Sequence, residues 1–154
     1  MAMQAVIMAG GAGMRLRPMT CDCPKPLVPL CGAPVMDYAL RLLARHGYDR
    51  ATATLCYRPQ DIKSAFGEGR HGVTLCYSEE KTPLGTAGSV KRCMSWLGEE
   101  DFLVISGDSV CDLDLTAAME FHQAKRAQAT LVLFRHPAPL EYGLVLTDEE
   151  QRVV

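Results

Sequence analysis

Along this chain, short apolar runs of strand length alternate with segments whose apolar residues recur at helical spacing, and few folds accommodate that alternation. Residues 4–8 read as a buried strand closed by Gly10-Gly11. After a loop rich in Gly, Pro and Cys, Pro34 stands where a first helical residue belongs. Val35, Met36, Ala39, Leu40, Leu42 and Leu43 follow at helical period, with Gly47 placed to end the helix in a left-handed conformation. Residues 51–57 alternate as a strand, 59–66 form a short helix stopped by Gly67, 73–77 a strand, 87–97 a helix and 102–105 a compact apolar strand. Asp114 is an N-cap for a helix through Lys125, and residues 129–134 read as a further strand. Residues 142–147, an acidic turn at 148–150 and the start of a returning strand at 152–154 complete the chain. This order predicts an α/β fold, a Rossmann-like three-layer αβα sandwich with a mostly parallel sheet.

With 154 residues the chain is long enough for one hydrophobic core, and neither repeat nor linker divides it. It stops as a strand begins, so we expect residues 1–154 to be one part of a longer domain, truncated at its C-terminus. Apolar residues make up 48% and charged ones 22%, a globular balance. The net charge of −2 lacks the basic excess of a nucleic-acid binder. Yet the first thirty residues hold Arg15, Arg17 and Lys25 against Asp22 alone, a locally positive segment suited to a small anionic ligand. Seven scattered cysteines point to reduced thiols and a cytoplasmic setting. Cys21 and Cys23 have no second Cys or His pair to complete a tetrahedral metal site, and the four histidines show no metal or triad spacing. The first apolar run is too short to be a signal peptide or to span a membrane.

In open α/β sheets, ligands sit outside the carboxyl ends of the strands. The loop after the first strand holds Gly10, Gly11 and Gly13, which let the backbone turn tightly and present N–H groups to an anion. Arg15 follows with a permanent charge. A Walker A loop is excluded, because no Lys-Ser or Lys-Thr stands at its spacing, and a dinucleotide fingerprint fails at Leu16. Downstream, Pro24 and Pro26 flank Lys25 and deny it a helix, presenting one ammonium on a stiff arm.

Together, GGxGxRLxPxT from Gly10 to Thr20 and PKPLxP from Pro24 to Pro29 form a specific signature. On these residues the chain resembles the sugar-1-phosphate nucleotidyltransferases, with its nearest likeness to bacterial mannose-1-phosphate guanylyltransferases. The resemblance implies transfer of a nucleotidyl group from a nucleoside triphosphate to a sugar-1-phosphate, by direct attack of the sugar phosphate on the α-phosphorus with release of pyrophosphate. Such chemistry relies on alignment and charge neutralisation. By the resemblance, Gly10, Gly11 and Gly13 cradle the triphosphate, Arg15 binds the departing pyrophosphate, and Lys25 offsets charge at the α-phosphate. Met14 departs from the family's usual Thr or Ser. Asp108, in Ser106-Gly107-Asp108, matches the family's position for Mg2+, which takes few protein ligands. Gly85, Thr86 and Gly88, within Pro83 to Gly88, match the segment against base and ribose, and Tyr142 and Gly143 match the segment touching the sugar.

Glu80 stands where thymidylyl- and uridylyltransferases of the family commonly carry Gln. Guanine offers adjacent N1–H and N2–H2 donors that a carboxylate accepts together, whereas uracil and thymine turn a carbonyl toward it. This favours GTP, with mannose-1-phosphate as acceptor. The family's sugar-phosphate residues and second metal carboxylate fall after Val154, so this chain is expected to bind nucleotide with little turnover. Uridylyl or thymidylyl transfer, a non-catalytic nucleotide-sensing module and a dinucleotide-dependent oxidoreductase are the alternatives.

Overall fold

The computed structural model describes residues 3–138 and 143–154. Contacts divide the chain into two compact units, Met1–Leu113 and Asp114–Val154. In the first unit the order is β1 (Met3–Met8), a hairpin of β2 (Pro29–Leu30) and β3 (Ala33–Pro34), α1 (Val35–Arg45), β4 (Tyr48–Leu55), α2 (Pro59–Phe66), β5 (Gly69–Arg70), β6 (Val73–Glu79), α3 (Gly85–Leu97) and β7 (Phe102–Ser106). The second holds α4 (Leu115–Lys125).

Five strands form one sheet in the order β5-β6-β4-β1-β7. β1 pairs in parallel with β4 and with β7, β4 pairs in parallel with β6, and only β5 runs antiparallel. Ala5, Val6 and Ile7 are all buried, as is every residue from Ala51 to Leu55. Strands buried without alternation have both faces covered, which the continuous apolar runs require. Cys93 and Leu97 of α3 pack with Val6, while α1 buries Met36, Ala39, Leu40, Leu42 and Leu43. From β1 through β4 to β6 the chain winds one way across the sheet, then returns past β1 to lay down β7. With right-handed crossovers, that reversal puts α1 and α2 on one face and α3 on the other. The expected doubly wound architecture is therefore present.

Several boundaries move. α1 starts at Val35 because Pro34, expected as its first residue, pairs with Pro29 in the β2–β3 hairpin with ψ 143. β4 begins at Tyr48, opposite Met3, and ends at Leu55, so Cys56 and Tyr57 leave the sheet. Gly47 follows the end of α1 with φ +80, and Asp114 caps α4 by accepting from the Ala117 N–H at 2.9 Å. The strand expected at 129–134 does not form: Leu131, Val132, Leu133 and Phe134 are exposed, and that stretch joins no ladder among the described residues. An apolar run becomes a strand only where another strand accepts its hydrogen bonds. The returning strand at 152–154 is a single antiparallel bridge, Thr147 to Val153, closed around the acidic turn by Asp148 N–H to Arg152 O at 3.0 Å.

Candidate active site

The strand order reverses between β1 and β7, and ligand crevices open at such points, beyond the carboxyl ends of the strands. Here a cavity of about 660 Å³ lies at those ends, walled by end residues of β1, β4 and β7 and by the segments that follow the four parallel strands. β1 contributes Met8 and leads into the glycine loop, β4 contributes Thr54 and leads to Cys56 and Tyr57, β6 leads to Glu80, and β7 supplies Ser106 and, just past its end, Asp108. Backbone bonds hold these exits level: Ala9 N–H donates to Thr54 O at 3.1 Å, Tyr57 N–H to Gly10 O at 3.3 Å, Gly107 N–H to Met8 O at 2.8 Å and Glu80 N–H to Leu55 O at 2.7 Å.

Of the residues singled out from the sequence, Gly10, Gly11, Glu80, Gly85, Thr86 and Asp108 line this cavity. Gly10 has little room for a side chain, since a Cβ there meets the Cys56 nitrogen at 3.3 Å. Gly13 stands back from the cavity wall. Its φ of +60 lies in the left-handed region, and the space a Cβ needs is filled by the Thr20 methyl at 3.0 Å. Arg15 lies on the exposed 3-10 turn Met14–Leu16 and does not line the cavity. Gly88, inside α3, does not line the cavity, and a Cβ there meets the Leu84 Cβ at 2.9 Å. Gly143 belongs to the second unit and is exposed, and Tyr142 lies outside the described residues.

Lys25 opens the 3-10 turn Lys25–Leu27 between two buried prolines, Pro24 and Pro26. Its ammonium donates to Asp108 Oδ2 at 2.9 Å, while the Ser106 hydroxyl donates to Oδ1 of the same carboxylate. Burial acts to raise the Asp108 pKa, but the Ser106 hydroxyl and the Lys25 ammonium outweigh it and hold the carboxyl below its ordinary value. The two side chains assigned opposite charges from separate motifs thus meet at one point. Across the cavity, Glu80 is only 9% exposed. Its Oε2 accepts from the Leu84 N–H at 3.2 Å, and Oε1 is buried and finds no hydrogen-bond partner among the described residues. A buried carboxylate oxygen left unpaired is costly unless something donates to it. Next to it α3 begins at Gly85 with no side-chain cap, so its first N–H groups are also available near the wall formed by Gly85 and Thr86.

Sequence reasoning assigned no role to Ser106, Thr20 or Tyr57. Thr20 is buried, and its hydroxyl donates to Gly13 O at 2.8 Å. The signal for Ser106 was a hydroxyl two positions from the expected metal carboxylate; for Tyr57 it was a polar aromatic at a strand's carboxyl end. Among the described residues, no group of three or more His, Cys, Asp or Glu side chains could hold a metal ion. All seven cysteines are free thiols, and no helix among the described residues is long and apolar enough to cross a membrane.

Residues 4–154 match the family model described as nucleotidyl transferase. The chain is 37% identical to mannose-1-phosphate guanylyltransferase of Mycobacterium tuberculosis, over 97% of this chain and 42% of the relative. It is 36% identical to UTP–glucose-1-phosphate uridylyltransferase of Synechocystis sp., over 99% of this chain and 43% of that protein. It thus spans less than half the length of either. Among solved structures, HddC of Yersinia pseudotuberculosis complexed with GMP-PN superposes with a TM-score of 0.69 at 32% identity, covering 78% of this chain and 54% of that one.

Proposed function

The chain belongs to the nucleotidyl transferase family, and we propose that its cavity takes a nucleoside triphosphate, GTP in preference to UTP or dTTP, for transfer of the nucleotidyl group to a hexose-1-phosphate, mannose-1-phosphate foremost. In this reading the sugar phosphate oxygen attacks the α-phosphorus directly and pyrophosphate leaves. The backbone of Gly10 and Gly11 borders the triphosphate at the cavity wall, with Gly13 setting the turn behind it. In this reading Lys25, paired with the cavity-wall carboxylate of Asp108, offsets charge growing at the α-phosphate, and Arg15, exposed on its turn, swings onto the departing pyrophosphate. A preorganised donor of this kind contributes about 3–4 kcal/mol of transition-state stabilisation.

Asp108 fits the Mg2+ expected of such chemistry. It is a carboxylate at the cavity wall, and a single protein carboxylate suffices where phosphate oxygens and water complete an octahedron. When bound, the ion neutralises phosphate charge; the Ser106 hydroxyl and Lys25 keep the carboxylate ionised and oriented. Free thiols throughout the chain support a cytoplasmic setting.

The observation that carries the base preference is the unpartnered, buried Oε1 of Glu80 at the cavity wall. Guanine supplies two adjacent donors to such a carboxylate, and a pyrimidine carbonyl facing it leaves two acceptors opposed. The test is calorimetric titration of the 154-residue chain with GTP, UTP and dTTP in the presence of Mg2+. GTP is expected to bind about tenfold or more tightly than the pyrimidine nucleotides; equal affinities discard the role given to Glu80, and no binding of any of the three discards the nucleotide site.

A further inference from the structure

Backbone bonds fix the start of the glycine loop to the sheet, yet beyond Gly11 the loop's own backbone bonds are local: Leu16 N–H to Gly13 O, Arg17 N–H to Met14 O and Cys21 N–H to Pro18 O. A stretch that contains Gly13 and has only local backbone bonds has many conformations, and a ligand that selects one of them must offset the entropy lost. The structure contains a brace that removes this freedom beforehand. Thr20 fills the space inside the Gly13 turn and donates its hydroxyl to Gly13 O at 2.8 Å. The Tyr57 phenol, in turn, donates to Cys21 O at 2.7 Å, with Thr20 O within reach at 3.2 Å. The backbone of the same Tyr57 donates to Gly10 O at 3.3 Å. One residue therefore grips the loop near both ends. It stands two positions past β4, whose residues 51–55 are buried, so the loop is tied to a strand in the core of the sheet. The neighbouring Arg58–Asp22 contact, 3.8 Å with the carboxylate fully exposed, adds little to this hold.

We propose that Tyr57 is a positioning residue that keeps the loop from Gly10 to Cys21 in its ligand-binding shape, so that its hydroxyl controls affinity for the phosphate tail of a nucleotide and not for the nucleoside. The inference rests on the nucleotide reading above. Phenylalanine at this position keeps the ring on the cavity wall and removes only the hydroxyl. In Tyr57→Phe, GTP is expected to bind about 3–10-fold more weakly, the range set by one neutral hydrogen bond, while guanosine binds within about twofold of the unsubstituted chain. Unchanged GTP affinity, or equal losses for GTP and guanosine, overturns the proposal, since a general loosening of the fold weakens both alike. Amide hydrogen exchange without ligand separates this inference from the nucleotide assignment. Tyr57→Phe is expected to speed exchange in peptides covering 10–21 and to leave β1 and β4 unchanged, whatever the ligand proves to be. If the loop exchanges at its original rate, the brace is not at Tyr57 even where nucleotide binding is confirmed; if the unsubstituted chain binds no nucleotide, the role in phosphate affinity falls with the site.

Discussion

Lys25 and Asp108 are 83 positions apart, and the 2.9 Å ion pair between them joins the proline-flanked lysine to the Gly-Asp turn. Each was legible in the sequence by residue type and flanking pattern: Lys25 by its prolines, Asp108 by the Gly-Asp turn after an apolar strand. Their pairing was not, because it depends on β1 and β7 lying side by side although distant in sequence. Ser106 escaped notice because a hydroxyl next to Gly-Asp means nothing until the turn carries Oγ to Oδ1. Tyr57 was hidden for a different reason. The alternating pattern ran on to residue 57 and drew it into the strand, whereas the ladder ends at Leu55 opposite Glu79 and frees the phenol for the loop. Arg15 was read, by the resemblance, as binding the departing pyrophosphate; it lies on an exposed turn and does not line the cavity. At this scale the decisive test is Lys25→Ala, which removes the ammonium and leaves Asp108 with Ser106 alone. Under the proposed function, in an intact enzyme that contains this chain, pyrophosphate release from GTP and mannose-1-phosphate is expected to fall about 100-fold or more on this substitution. A rate within about threefold removes Lys25 from the chemistry, since a donor to the transition state has a larger effect than that.

Among elements, the β1–β7 contact is the one on which the site most depends, and Gly107 makes it possible. Its N–H donates to Met8 O at 2.8 Å, and a Cβ in its place meets Ile7 Cγ2 at 2.8 Å, Ala9 Cβ at 3.1 Å and Met8 O at 3.2 Å. Ile7 is fully buried, so it has no room to retreat. Gly107→Ala is therefore expected to lower stability by about 1–3 kcal/mol through overpacking, a fall in Tm of roughly 2–4 °C per kcal/mol. The same crowding pushes Asp108 away from Lys25, so GTP affinity in the presence of Mg2+ should weaken too. Thermal melts and titrations of the variant check both; an unchanged Tm means the strand ends separate easily and β1 does not fix the position of Asp108. The parallel strands and α1 were legible because their apolar residues are buried in the pattern their period demands. The β2–β3 hairpin was not, because Pro29 and Pro34 argue against strands. Its turn signal, Cys31-Gly32 with φ +47 and +82, is a weak one outside glycine. Residues 129–134 show the converse: strand-like composition that joins no ladder among the described residues.

At the scale of the molecule, the first unit places its ligand-binding chemistry at the carboxyl ends of the strands, and a separate charged cluster ties α1 to the turn between β5 and β6. Asp37, in the first turn of α1, has a side chain only 3% exposed. It accepts from Arg41 Nε at 2.8 Å, contacts His71 Nε2 at 2.9 Å and lies 3.5 Å from an Arg70 guanidinium nitrogen. Burial acts to raise its pKa, but the His71 and Arg41 interactions outweigh it, and the carboxyl ends below its ordinary value. A carboxyl whose folded pKa is depressed binds its proton more weakly in the native than in the unfolded chain. Its stabilisation is thus fully present above the unfolded value, about 3.9, and is lost as pH falls through the lower folded value. Asp108 is shifted the same way and steepens the same acid limb. Both arginines and His71 are partly exposed, so solvent screens the cluster, and its loss is expected to lower stability by about 1–2 kcal/mol, below the range for a fully buried pair. Urea unfolding of the unsubstituted chain and of Asp37→Asn between pH 3 and 7 reads this directly. The variant should be less stable at pH 7, and the difference should shrink steadily as the pH drops below 4, where the wild-type carboxyl takes up the proton that the amide mimics. A gap that stays constant across that window shows that Asp37 acts through packing alone and that its charge does not hold α1 to the sheet.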